Sequence, residues 1–150
     1  MEIPQPFVGI DVSAQRLDVD TLPASRRFSE PNNEDGIASL LLRLQPLNPK
    51  IVLLEATGGC EIPVAYALYE ASLPVVIMNP KALRHFAKAI GRLAKTDKLD
   101  AQVLAHYARA SEAWVSHCPL AWLGLRKQFF PPATTSGTRS LPEVRTTAFI

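Results

Sequence analysis

Cysteine is scarce in this 150-residue chain: Cys60 and Cys118 are far apart and outside any Cys-x-x-Cys spacing. That excludes a disulfide framework and gives no reason to expect a zinc site. Net charge is nearly absent as well, at +2, so the overall balance points to no class of partner. No apolar run approaches the roughly 20 residues of a membrane span. No basic, apolar, small-residue leader opens the chain. A cytoplasmic, reducing setting without membrane contact is the expectation. Proline is the exception to this sparseness, at thirteen residues, many for a chain of ordinary globular composition. The length allows one domain with a sizeable core and is short for two.

Although the net charge is small, the charges are unevenly placed. Between Lys81 and Arg109 stand Lys81, Arg84, Lys88, Arg92, Lys95, Lys98 and Arg109, against Asp97 and Asp100 as the acids. A basic stretch around an acidic pair suits a site that grips phosphates and holds metal. Its bland counterpart is a solvated helix face.

Residues 7–12, Phe-Val-Gly-Ile-Asp-Val, read as a strand bounded by Pro4 and Pro6. Arg16 to Leu22 alternates polar and apolar residues, the mark of a half-buried strand. Ser13-Ala14-Gln15 is the hairpin connection between them. A short third strand is expected at Arg26-Arg27-Phe28-Ser29, after Pro23. Asn32 to Asp35 supply a cap and early acids for a helix through Ile37, Leu40, Leu41 and Leu44, which Pro46 and Pro49 end. Ile51 to Leu54 form a continuous apolar run ending in Glu55, the pattern of a central parallel strand. Helical character from Ile62 to Ala71 and a strand at Pro74–Asn79 follow. Asn79-Pro80 opens the next helix, with Leu83, Phe86, Ala87 and Ile90 on its apolar side and Gly91 at its end. A last helix is expected from about Thr96 to Arg109. Three antiparallel strands followed by alternating helices and strands give the plan of a ribonuclease-H-like α/β domain, a mixed sheet flanked by helices.

Four acids fall on this plan in a suggestive way. Asp11 and Glu55 each sit at the end of an apolar strand. Asp97 and Asp100 are three residues apart, on one face of the expected last helix. Divalent ions need hard oxygen ligands, and a pair of them about 4 Å apart needs acids converging from separate elements. An unpaired carboxylate buried mid-sheet is costly, so Asp11 in particular calls for a cation or for solvent. Asp97 has a competing explanation as a first-turn acid favoured by the helix dipole, and Asp100 as a surface residue. Glu61 is the rival to Glu55, but it follows two glycines at a helix start, where a capping role explains it. Lys95 and Lys98 either contact phosphates or are solvated. The same choice holds for Arg84 and Lys88, one helical turn apart. His106 and Tyr107 fit surface and core positions. Ser13 reads as a turn residue, since no histidine or lysine base stands near it.

Gly9-Ile10-Asp11-Val12-Ser13, Glu55-Ala56-Thr57-Gly58-Gly59, Asn79-Pro80 with Arg84 to Gly91, and Lys95-Thr96-Asp97-Lys98-Leu99-Asp100-Ala101 occur in that order. Together they resemble the N-terminal domain of the IS-one-ten family of transposases, which includes the Piv-type DNA invertases. The resemblance runs from about residue 7 to 110. It implies a RuvC-like fold with an acidic tetrad at Asp11, Glu55, Asp97 and Asp100 that is catalytic and binds magnesium or manganese. It also implies DNA as partner, a structured guide RNA, and a homo-oligomer for the full-length family. Arg84, Lys88, Lys95 and Lys98 are the candidate nucleic-acid contacts. Ala14 departs from the lysine, and Cys60 from the aromatic, that members often carry.

Residues 1–110 are thus expected to form the RuvC-like domain. From about residue 111 the chain mixes Trp114, Trp122, Phe129 and Phe130 with prolines and a Thr/Ser-rich stretch, without helical or strand period. That tail, 111–150, is expected to be irregular or disordered and foreign to the family, as after a frameshift or truncation near residue 113. Family members instead continue into a helical segment and a domain bearing a nucleophilic serine. Two alternatives share the acids: a RuvC-like Holliday-junction resolvase, which the ragged tail disfavours, and a non-catalytic nucleic-acid-binding remnant. A sugar-kinase or actin-like ATPase also opens on Gly-Ile-Asp, but it needs a second glycine-rich phosphate loop that is missing here.

Overall fold

A computed structural model describes residues 4–91 and 100–111. In chain order the elements are β1 (Phe7–Val12), β2 (Arg16–Leu22), β3 (Phe28–Pro31), α1 (Glu34–Leu44), β4 (Ile51–Glu55), α2 (Ile62–Glu70), β5 (Val75–Met78), α3 (Pro80–Ala89) and α4 (Ala101–Ala110). A 3₁₀ turn at Gln45–Leu47 carries Pro46 and closes α1. All these elements belong to the unit Met1–Ala110. The tail expected to be irregular lies, apart from Ser111, outside the described residues.

The strands form one sheet in the order β3-β2-β1-β4-β5. β1 pairs antiparallel with β2 and β2 with β3. β1 pairs parallel with β4 and β4 with β5. This is the ribonuclease-H-like arrangement that the sequence pattern predicts. The third strand differs in position, starting at Phe28 rather than Arg26. It is an edge strand, so Pro31 can end it without removing a ladder bond from the interior. Ser13 holds the β1–β2 turn, its hydroxyl donating to the Arg16 carbonyl and accepting from the Arg16 amide, each at 3.0 Å. Its turn role stands. Asn33 caps α1 by accepting from the Gly36 amide at 2.8 Å, and Asn79 caps α3 by accepting from Lys81 at 2.8 Å, both as the sequence predicts.

Strand alternation sorts the central sheet into two faces. Val8, Ile10, Val12, Leu17, Val19, Val52 and Leu54 lie on one, all buried. α1 and α2, which pack on each other, are the helices available to cover them. Gly9, Asp11, Asp18, Asp20, Leu53 and Glu55 lie on the other. α4 crosses that face, against β1, β2 and β4, and α3 packs beside α4. The α3–α4 contact includes Phe86 and Tyr107, edge to face with centroids 4.9 Å apart. Burial pushes the Tyr107 hydroxyl pKa up, consistent with a packing residue.

α4 reaches the sheet because Gly9 has no side chain. A β-carbon there would lie 2.7 Å from that of Leu104, and closer still to the Ala101 carbonyl oxygen and the Ala105 amide nitrogen. Those are backbone atoms in a formed helix and cannot swing aside. Ala101, Ala105 and Ala108 are all buried, so small residues on the helix complete the close approach.

After β4 the chain turns through Gly58 and Gly59, with φ of +74° and +114°. These values favour glycine. Glu61 secures the turn. One of its carboxylate oxygens accepts from the Thr57 amide, the Thr57 hydroxyl and the Gly59 amide, each at 3.0 Å. Glu61 does precede α2, but its side chain makes no capping bond to that helix. The capping explanation is therefore corrected: the carboxylate faces back into the loop, whose amides it satisfies. Burial raises the Glu61 pKa, and the hydrogen bonds from the backbone of Glu61, Thr57 and Gly59 and from the Thr57 hydroxyl outweigh it, leaving the pKa below its ordinary value.

Two outcomes follow for stability. Gly9→Ala is expected to cost about 3 kcal/mol, the upper end for overpacking, because backbone and not a flexible side chain must yield; urea unfolding measures it. Glu61→Gln is expected to cost about 1–2 kcal/mol near neutral pH through its weakened bonds to buried donors. A carboxyl with a depressed folded-state pKa contributes its stability above the unfolded-state value and loses it as pH falls through the folded-state value. The gap between wild type and Glu61→Gln should therefore narrow as melts are taken from neutral pH into the acid range.

Candidate functional site

Acids line up across three neighbouring strands. β1 and β2 pair Asp11 directly with Asp18. β1 and β4 pair Ile10 with Leu54, so the next step sets Asp11 beside Glu55. Paired residues point to the same face, and Asp18, Asp11 and Glu55 therefore form a row at one end of the sheet. Asp11 is 8 % exposed. Glu55 closes β4 at partial exposure.

α4 adds a fourth acid. Its helix begins at Ala101, and Asp100 stands just before it. The Asp100 carboxylate accepts from the Val103 amide at 2.9 Å, which makes Asp100 the N-cap. This corrects the expected start near Thr96: α4 begins at Ala101, and Asp100 stands before the helix as its cap and not within it. The reason is the side chain itself, since aspartate competes well as a cap where a helix enters. Asp97, Lys95 and Lys98 lie outside the described residues.

Asp11, Asp18 and Asp100 line one open cleft of about 350 Å³, with Arg27, Ser29 and Gln102 on its other walls. Glu55 is on the adjoining strand and is not among the lining residues. Two acids here were not singled out from sequence. Asp18 accepts from Arg16 Nε at 3.0 Å and Nη2 at 2.9 Å, and from the Ser29 hydroxyl. Asp20, one pleat further, is wholly buried. It accepts from the Thr21 amide and the Ser25 hydroxyl at 2.8 Å and from Arg27 Nε at 3.1 Å. The alternating Arg16–Leu22 pattern suggests a solvated polar face, but α4 covers the Asp20 end of it. A cue was present in Gly9, which pairs with Asp20 and marks where another element comes close.

Among the described residues no three carboxylate, imidazole or thiolate groups form a ready-made metal cage. The donors that do converge are all carboxylates, the hard-oxygen type that magnesium and manganese take. Arg84 and Lys88 are exposed on α3 one turn apart, with Lys81 and His85 exposed beside them. Cys60 is a free thiol, half-buried, and no described helix is long and apolar enough to cross a membrane.

The pilin gene-inverting proteins of Moraxella lacunata and Moraxella bovis are each 29 % identical over 107 residues, covering 67 % of this chain and 33 % of theirs. The chain thus spans about a third of the length of these curated relatives. The crystal structure of the Fowlpox virus resolvase with its substrate Holliday junction DNA superimposes with a TM-score of 0.37 at 16 % identity, over 69 % of this chain and 95 % of that one. The family model of the DEDD transposases of the IS110 type matches residues 8–119, which takes in every strand and helix described above save the first residue of β1. By that match the chain belongs to the DEDD transposase family.

Proposed function

We propose that this chain supplies the acidic, metal-binding part of a transposase or site-specific DNA recombinase, acting by metal-dependent phosphoryl transfer on DNA. The observation that carries the reading is that Asp11, set beside Glu55 by the β1–β4 register, shares one cleft with Asp100, the cap of α4. In this reading Asp11, Glu55, Asp97 and Asp100 are the catalytic tetrad and hold magnesium or manganese. When bound, the ion supplies Lewis-acid polarisation of a phosphoryl oxygen. The protein's own part is to aim the carboxylates and to hold the strand. β1 and β4 fix Asp11 and Glu55 side by side, and the Asp100 cap is fixed by the packing of α4 on Gly9.

DNA as the substrate agrees with relatives named for inverting a gene. Arg84 and Lys88 on α3, with Lys95 and Lys98, serve as phosphate contacts. A structured RNA is the second nucleic acid these cations accommodate, because phosphate contacts carry no sequence information. Strand exchange by the family requires a second domain and a homo-oligomer, and residues 1–110 are assigned here the acid chemistry alone.

Asp100→Asn tests the metal part cleanly, since asparagine caps a helix as well as aspartate does. Without metal its melting temperature should match wild type. With magnesium at one hundred times its Kd, wild type should gain about 2.7 kcal/mol, and Asp100→Asn and Asp11→Asn markedly less. An equal response in all three overturns the metal assignment. The nucleic-acid part is tested by DNA binding across a salt series. Arg84→Ala with Lys88→Ala should flatten the plot of log affinity against log salt by roughly one unit per lost contact. A wild type that binds no DNA at low salt overturns it.

A further inference from the structure

An acidic cleft repels the phosphodiester it is meant to receive, so a fixed cation in its wall has a clear use. Among the described residues that line the cleft, Arg27 is the one cationic side chain. It was not among the basic residues read from sequence as nucleic-acid contacts. It lies in the β2–β3 connection, far in sequence from the basic stretch after Lys81.

Its placement is unusual for a surface arginine. The side chain is 61 % exposed, yet its Nε bonds to the wholly buried carboxylate of Asp20 at 3.1 Å. Asp20 is itself held by the Thr21 amide and the Ser25 hydroxyl. One donor is therefore tied to a rigid buried anchor while most of the side chain stays open to solvent. A guanidinium offers five donors in a planar fork suited to phosphate. Anchoring it in advance lowers the side-chain entropy lost on binding.

We propose that Arg27 is a phosphate-positioning residue, its guanidinium holding a nucleic-acid phosphodiester against the cleft that contains Asp11 and Asp100, with Asp20 as its anchor. The proposal rests on the DNA-directed reading above and adds to it a specific contact from the β2–β3 connection.

Arg27→Gln separates this role from a structural one. Glutamine has an amide nitrogen at the position in the side chain that Nε holds in arginine, so the bond to Asp20 is retained while the outer fork is lost. The full-length chain with each variant is titrated with a DNA oligonucleotide in magnesium across a salt series. Arg27→Gln is expected to melt within a few degrees of wild type, to bind about tenfold more weakly at low salt, and to flatten the salt dependence by roughly one unit. Arg27→Lys keeps a charge without the fork and should recover less than half of the lost affinity on a logarithmic scale. If Arg27→Gln binds DNA with unchanged affinity and slope while the Arg84→Ala, Lys88→Ala variant is weakened, this proposal is wrong and the wider reading stands. If wild type itself binds no DNA, both fall together.

Discussion

The close crossing of α4 over β1 is the contact on which the site depends. It works because one position in the sheet, Gly9, carries no side chain, and because buried alanines line the helix surface that meets it. Dispersion and burial at such a crossing are strong because backbone meets backbone at near-contact distance. The same crossing sets the site. It carries Asp100 to the end of the sheet where Asp11 and Glu55 stand, it roofs Asp20, and it leaves the cleft open at the helix N-terminus.

Packing of this kind brings a large number of carboxylates near one another, and the structure treats them in two ways. Asp20 and Glu61 are buried, and each is surrounded by donors: an amide, a hydroxyl and a guanidinium for Asp20, two amides and a hydroxyl for Glu61. Satisfied in this way, a buried charge is tolerable and fixes local geometry. These two acids hold loops, one between β2 and β3 and one between β4 and α2. The proposed ligands Asp11, Glu55 and Asp100 stand at or next to element ends instead: Asp11, also buried at 8 % exposure, and Asp100 line the cleft, and Glu55 closes β4 at partial exposure. Position in the fold, and not residue type, separates the structural acids from the proposed ligands.

Much of this was legible in the sequence, for identifiable reasons. The uninterrupted Ile51–Leu54 run gives a strand covered on both faces, and its end at Glu55 is where β4 ends. Asparagines at positions 33 and 79 mark helix starts because a side-chain acceptor there satisfies an amide that no helical carbonyl reaches. Three things were less legible. The burial of Asp20 depends on a helix some eighty residues later in the chain, and alternation within one strand cannot report it. The Arg27 placement depends on Asp20 and inherits the same difficulty. The start of α4 was misplaced because two aspartates three residues apart satisfy the pattern of a shared helical face as well as that of a cap, and only the Val103 bond decides between them.

In the proposed reading Asp100 would serve fold and site at once. A cap uses one carboxylate oxygen for an amide, here at 2.9 Å, and the negative charge also complements the positive end of the helix dipole. A carboxylate has about four lone-pair directions in all, so capping does not exhaust its capacity to coordinate. The two roles would be mutually supportive: the cap fixes the position and orientation of the group, and a ligand held by its own helix would lose little entropy on binding a cation. Coordinating acids on flexible loops would have to be ordered by the ion itself. Here the sheet orders Asp11 and Glu55 and the helix orders Asp100, so the folding energy of the domain is what preorganises the acids.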